Sequence, residues 1–425
     1  MDAHVIAQLC MLATLILMIT GKTPIYLTAI TGAAISALVA GFPLAGAEGM
    51  TITKMIISGL NPVIADMTGI LLFIGIMQAT GFLDVIIRDI VRIGDKMGGG
   101  VGVAGAGGVA AGVIGALTGF TQPVVTAVIT GPAAVRLGVD PNKTAGIIAH
   151  AGHIGNLAGF THPTQVAILA TAGIGYGLFN VLGLIAALSI FVVSGIRITL
   201  DMKRRGVKID KAQHDAIMAE IENREYTTTS FKAFLPFVVL FVGFVAGLPI
   251  FLVGLFSAML TMFLAHRAPR EADMMKGVSL IATPLVATIG FLFMSTVIKE
   301  IGMVQTMSEI VAPIMTTSPV LVMFGVAFCT AFMTQSYAAS VAVLVPFLQI
   351  VLAAGGDPFA SAFAAASGAA LIQYFLTGGP VAALATVIPV IPGSELKAAN
   401  AFQRPSILAG SATALVITIL LMMFG

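Results

Sequence analysis

Long apolar runs fill nearly the whole chain, and the polar interruptions between them recur in the same order twice. In the first half a glycine-rich run reaches Thr118-Gly119-Phe120-Thr121-Gln122-Pro123 and resumes as far as Val139. Asp140-Pro141 then opens a long segment that breaks at Gly159-Phe160-Thr161-His162-Pro163. In the second half a run reaches Thr330-Ala331-Phe332-Met333-Thr334-Gln335-Ser336 and resumes as far as Ala354, after which Asp357-Pro358 opens a segment that breaks at Thr377-Gly378-Gly379-Pro380. Upstream, Thr80-Gly81-Phe82-Leu83 corresponds to Ile301-Gly302-Met303-Val304.

This pattern predicts an all-α integral membrane protein made of two inverted repeats, 1–198 and 231–425, joined by a linker at 199–230. Each repeat has five spans and one helical hairpin, with a broken helix at its centre. The spans are expected near 3–19, 24–41, 64–81, 143–172 and 176–198, and near 231–247, 249–265, 279–298, 357–391 and 405–424. The hairpins are expected at 99–139 and 317–354. Each hairpin arm is long enough to cross fully, but polar Thr-Gln tips suit a cavity at membrane depth better than a loop in water, so re-entry is preferred. Five crossings per half then give the halves opposite orientation. The segment 83–97 carries Asp84, Arg88, Asp89, Arg92, Asp95 and Lys96 at helical spacing among Val and Ile, as an amphipathic helix on the membrane surface would. Its counterpart 301–315 has Gln305, Ser308 and Glu309. The linker is helix-prone from Asp210 to Arg224 and reads as a connector without chemistry of its own.

Composition agrees: 58% of residues are hydrophobic and 9% charged, with a mean hydropathy of +1.04, where soluble domains carry roughly 25% charge. The N-terminal run lacks a basic leader region and a small-residue cleavage site, so it is expected to be a retained span. With the linker in the cytoplasm, only Lys54 and Lys299 of the 21 Lys and Arg fall outside. That bias is expected to place both termini outside. It does not choose between re-entrant and fully crossing hairpins, because either leaves the loops on the same sides. A net charge of +2 gives no reason to expect a nucleic-acid partner. Cys10 and Cys329 lie in apolar runs and are expected to be buried free thiols.

An enzyme is not expected. No nucleophile, base and orienter occur together, no metal motif matches, and the glycine run Gly98–Gly108 lacks the Gly-Lys-Ser/Thr end of a phosphate loop. Small residues in an apolar helix usually mean close packing. Between 99 and 200 the only acid is Asp140, and between 310 and 394 the only acid is Asp357; each precedes a proline and is expected to cap a helix. The centre therefore holds no carboxylate of the kind cation exchangers commonly use. Half-helices beginning after Gln122, after Gln335, at Pro163 and at Pro380 would present four N-termini, together roughly +2, to a small dianion. Thr121, Gln122, Asn156, Thr161, Thr164, Thr334, Gln335, Ser336 and Thr377 could orient carboxylate oxygens, with Pro123, Gly378 and Gly379 beside them. The alternative is that these residues only cap half-helices. His150, His153 and His162 cluster in one stretch. His150 and His153 share a helix face. Metal binding by that pair lacks a third ligand, structural hydrogen bonding is the main alternative, and His153 or His162 could carry a proton. His162, inside the first break, is the best placed for substrate contact.

Met77-Gln78-Ala79-Thr80-Gly81-Phe82-Leu83-Asp84, the second tip Thr334-Gln335-Ser336-Tyr337-Ala338-Ala339 and the tail Asn400-Ala401-Phe402-Gln403-Arg404-Pro405 carry a resemblance. Over nearly its full length the chain resembles the anaerobic C4-dicarboxylate transporters (the Dcu family) of the ion transporter superfamily. The resemblance implies exchange or ion-coupled symport of succinate, fumarate, malate or aspartate by a homodimer whose hairpin domain moves against a fixed scaffold. Two departures fall where substrate should bind. The first tip is less rich in Gly and Asn than the family's, and His162 replaces a small residue. The rival readings are a symporter of another organic anion, a hydroxy acid or sugar acid, and, in a different class, a channel or cation antiporter. No cofactor is expected; a coupling ion, if used, would be a proton or sodium. The expected partners are a small carboxylate, the lipid bilayer and a second copy of the chain.

Overall fold

The computed structural model describes residues 3–20, 25–46, 48–58, 62–118, 121, 123–222, 225–246, 248–265, 282–315, 318–375 and 378–424. All regular structure among them is helical. The first half runs α1 (Ala3–Thr20), α2 (Ile25–Val39), a short α3 (Ile52–Ser58), α4 (Pro62–Ala79), α5 (Phe82–Thr118), α6 (Val124–Arg136), α7 (Pro141–Ala149), α8 (Ala151–Ala158), α9 (Pro163–Ala172) and α10 (Leu178–Arg204). The linker holds α11 (Lys211–Glu222). The second half follows with α12 (Ser230–Val245), α13 (Ile250–Leu264), α14 (Ala282–Glu300), α15 (Met303–Met315), α16 (Pro319–Thr334), α17 (Tyr337–Ala353), α18 (Pro358–Ala370), α19 (Gly378–Val387) and α20 (Leu396–Phe424).

The helices Ala3–Thr20, Phe82–Leu117, Leu178–Arg204 and Leu396–Phe424 are long and apolar enough to cross a membrane. The second of these is two helices in practice. Gly98 (φ −164, ψ 18) and Gly99 (φ 53, ψ −130) bend α5 between its charged arm and its apolar limb. The positive φ at Gly99 is one L side chains rarely adopt. Beyond the bend the glycines serve packing: a Cβ on Gly108 would lie 2.6 Å from the Phe191 ring and 2.8 Å from the Ile147 carbonyl oxygen. The limb of α5 thus lies directly on α7 and α10.

The two halves interlock reciprocally. α4 packs on α13 while α2 packs on α14, and α9 packs on α17 while α6 packs on α19. Gly69 and Gly254 let the α4 and α13 backbones touch; a Cβ on Gly254 would lie 2.5 Å from the Gly69 carbonyl carbon. Each of these contacts between the halves thus has its counterpart with the roles of the two halves exchanged.

Several expectations need adjusting. The second broken helix ends at Ala370, well before Thr377-Gly378-Gly379-Pro380, and Gly378 and Gly379 begin α19. The last helix starts at Leu396 instead of 405, with Pro405 tolerated inside it. α3 was not expected. Cys329 is exposed on the outer face of α16 and Cys10 is half-buried, so the thiols are free but not interior. In a membrane helix an apolar run fixes depth, and it leaves open which face meets lipid.

Candidate functional site

The second tip is a tight polar turn. Gln335 closes α16 in the left-handed region (φ 49, ψ 31), and the extended Ser336 caps α17, its Oγ accepting from the Ala339 N–H at 3.2 Å. Thr334 Oγ1 donates to the Ser336 carbonyl (3.3 Å) and lies 3.2 Å from Ser340 Oγ. These hydroxyls are spent within the turn, as the capping alternative requires. Gln335 reaches across the fold instead. Its Nε2 donates to the Phe332 carbonyl at 2.9 Å, and its Oε1 accepts three successive backbone N–H groups, from Gln373 (3.2 Å), Tyr374 (3.0 Å) and Phe375 (3.3 Å).

Those N–H groups are free because α18 has stopped. Residues 371–375 lack helical bonds, and side chains take over the accounting that a buried backbone demands. Gln373 sits at φ 92 and uses each of its polar groups. Its carbonyl accepts from Asn400 Nδ2 (3.0 Å), its Nε2 donates to the Ala149 carbonyl (3.2 Å), and its Oε1 accepts from Gln403 Nε2 (3.1 Å). From α8, His153 Nε2 donates to the Ile372 carbonyl (3.0 Å) and Asn156 Nδ2 to that of Ala370 (3.3 Å). Since that carbonyl can only accept, the proton of neutral His153 is on Nε2. Tyr374 OH pairs with Ser411 Oγ at 2.9 Å.

The first break is shorter. Asn180 Nδ2 donates to the Ala158 (3.1 Å) and Gly159 (3.0 Å) carbonyls, and the Phe160 N–H donates to the Ala116 carbonyl (2.8 Å). His162 is extended, and Pro163 opens α9. This break meets the second tip: Thr164 Oγ1 donates to the Tyr337 carbonyl (3.3 Å), and the His162 and Tyr337 rings lie 4.7 Å apart at 32°. Thr161 Oγ1, His162 Nδ1, Gln165 Oε1 and Tyr337 OH are all buried here, with no hydrogen-bond partner among the described residues. At the first tip, Thr121 is wedged against α5 and α8; a Cβ on Gly155 would lie 2.5 Å from its Oγ1. Pro123 caps α6 and is buried.

The structure therefore brings together His153, Asn156, Thr161, His162, Thr164, Thr334, Gln335 and Ser336, with Thr121 and Pro123 on the far side of α8. Gln122 and Thr377 lie outside the described residues. Sequence reasoning missed Tyr337, Gln373, Asn400 and Gln403. The available signal was an isolated Gln between Leu371-Ile372 and Tyr374-Phe375. Asp140 accepts from the Asn142 and Lys143 N–H groups and Asp357 from that of Ala360, so both acids are caps. His150, with its ring centroid 5.6 Å from that of His153, bonds Ser194 Oγ (3.0 Å), which donates to Ser406 Oγ (2.8 Å). Arg197 donates to the Phe402 carbonyl and to Ser406 Oγ, tying α10 to α20. Among the described residues no group of three His, Cys, Asp or Glu could hold a metal ion. A cavity of about 230 Å³ between α5, α8, α10, α12 and α13 is apolar. Asn180, its main polar lining residue, has its amide spent on the first break, so the cavity offers little to fix an anion.

The chain's fold is that of known membrane transporters. The Alcanivorax borkumensis YdaH transporter, described as having an unusual topology, superposes with a TM-score of 0.60 at 14% identity over 99% of this chain and 98% of its own. Neisseria gonorrhoeae MtrF, placed in a class of antimetabolite efflux pumps, gives 0.59 at 13% identity over 93% and 95%. No protein-family model matches the sequence, and no curated protein does.

Proposed function

We propose that the protein is a secondary active transporter, an exchanger or ion-coupled symporter, of small C4-dicarboxylates such as succinate, fumarate, malate or aspartate. Its halves are inverted repeats in a bacterial inner membrane, with both termini outside and the linker in the cytoplasm. Its hairpins and broken helices move against α1–α4 and α12–α14 in an elevator-type step, within a homodimer. The observation that carries this reading is the junction of the first break with the second tip. Thr161, His162 and Tyr337 each bring a buried polar atom with no partner among the described residues, and each can donate a hydrogen bond. Buried polar atoms are normally paired, so a site with several open donors and no acid beside it suits an anion. A hydrogen bond to a charged group contributes roughly 1.5–3 kcal/mol, so two or three suffice for the affinity such transporters need.

The tilted His162 and Tyr337 rings, 4.7 Å apart, favour a second reading, transport of another organic anion with a hydroxylated or planar body. MtrF's description as an antimetabolite efflux pump adds export to the directions worth testing. Uptake and counterflow in proteoliposomes, with a panel of dicarboxylates and larger acids on either side, separates these. Accelerated succinate or fumarate uptake with dicarboxylate inside supports exchange. No dicarboxylate flux under any gradient, with flux of a larger acid, replaces the first reading by the second.

A further inference from the structure

Helix α11 does more than connect. Its side chains touch both the charged arm of α5 and the end of α6. To the arm, His214 Nε2 donates to Asp95 Oδ1 at 2.8 Å, and Glu222 Oε1 lies 3.3 Å from Arg92 Nε. To the hairpin, Glu220 takes both terminal nitrogens of Arg136, at 2.7 and 3.0 Å. Ile217, Met218 and Ile221 are buried beneath. The following chain is held too: Tyr226 OH donates to the Ile221 carbonyl at 3.0 Å, and the Arg88 guanidinium lies 4.6 Å above the Tyr226 ring. A change of angle between arm and hairpin must break one of these two sets of contacts.

We propose that α11 is a clamp on the first hairpin, closed when His214 is protonated and loosened when it is not. The geometry favours the charged ring. Nε2 faces Asp95, and Nδ1 lies 3.2 Å from Asp215 Oδ1. Carboxylate oxygens only accept, and only imidazolium can donate from both nitrogens; the neutral ring keeps the bond from Nε2 to Asp95 but loses its charge assistance. Of the other charges around α11, Arg92 pairs with Glu222 and Arg136 with Glu220, while Asp210 and Lys211 at its start and Lys96 beside Asp95 are the remaining charged neighbours of His214 along the chain. Arg205, at the end of α10, is paired with Asp201. Asp95, with its carboxylate 14% exposed, is the deeper partner. The hydrogen bond to Asp95, then that to Asp215, raises the His214 pKa above its ordinary 6.5. A group whose pKa is raised on docking stabilises the docked state fully below its free pKa, and that stabilisation is lost as pH rises through the raised value. The clamp is thus closed at acid cytoplasmic pH and opens as the cytoplasm turns alkaline. The clamp does not depend on which anion is carried; only its exposure to cytoplasmic pH rests on the proposed topology.

Hydrogen exchange of residues 211–222 in the full-length protein, measured from pH 5.5 to 8.5 and corrected for intrinsic exchange, tests it. In wild type, protection should fall several-fold across the upper half of that range. In His214→Gln and in Asp95→Asn it should be low and flat. Protection of wild-type α11 that is constant across the range, or an unchanged pH profile in both variants, overturns the proposal. Failure of dicarboxylate transport would leave this result standing, because the readout is docking and not flux.

Discussion

The two breaks at the centre do the same topological job with opposite chemistry. The second, at 371–375, has its backbone heavily bonded by side chains, although His153 Nδ1 and Gln403 Oε1 beside it are buried with no partner among the described residues. Gln335, Asn400, Gln403, His153 and Asn156 converge on it from three other helices and on both sides of the chain. The first, at 159–162, is held at its start by Asn180 and then leaves Thr161 and His162 with unpaired polar atoms beside Tyr337. A break whose backbone is bonded this heavily is a fixed post. An unsaturated one in a buried polar setting is where a ligand can complete the bonding. Gln335 accordingly belongs to the post in this conformation, although its place at a polar tip suggested ligand contact.

The largest expected effect is loss of the post. Gln335→Ala leaves three N–H groups, two of them buried, without their acceptor, and an unsatisfied buried group costs about 1–3 kcal/mol. Partial relaxation leaves an expected destabilisation of about 3 kcal/mol or more, seen as a strong fall in melting temperature and yield. A stable Gln335→Ala protein with weakened substrate binding would move Gln335 to the ligand side of the comparison. Next comes Gln373, where two effects separate. Gln373→Ala loses the side-chain bonds and keeps the positive φ, whereas Gln373→Gly loses the same bonds and relieves the backbone. Gly should therefore be the more stable of the two by about 1 kcal/mol. The smallest effect is at Ser336, where Ser336→Ala removes an N-cap and should cost about 1 kcal/mol with unchanged affinity. A large affinity loss there would mean that the turn hydroxyls face substrate.

Much of this was legible in the sequence, for local reasons. Asp140-Pro141 and Asp357-Pro358 announce capped helix starts, Gly98-Gly99 announces the bend, and Thr161-His162-Pro163 announces the first break. Each signal acts through its own backbone. The second break is different. Leu371-Ile372-Gln373-Tyr374-Phe375 contains no Gly or Pro, so the glycine and proline further on at Gly378-Gly379-Pro380 drew the boundary too late. The helix stops at Ala370 because remote side chains supply its missing hydrogen bonds, and long-range satisfaction leaves no local mark. Tyr337 was overlooked for a related reason. It follows the polar tip as an apparent first residue of an apolar helix, and only the arrival of His162 from the other half makes it part of a site. The linker was underestimated because its contacts, Asp95, Arg92 and Arg136, lie about a hundred residues away in the chain.

The central claim is that a small carboxylate completes the junction of the first break and the second tip. Calorimetric binding of succinate, fumarate and aspartate to purified Tyr337→Phe and Thr161→Val, beside their melting temperatures, addresses it directly. Each substitution removes one buried hydroxyl that has no partner among the described residues, so folding stability should hold or rise slightly. Affinity for the dicarboxylate that wild type binds should fall roughly ten-fold, the loss of one charge-assisted hydrogen bond. Wild-type affinity in both variants would contradict the account and place the substrate elsewhere.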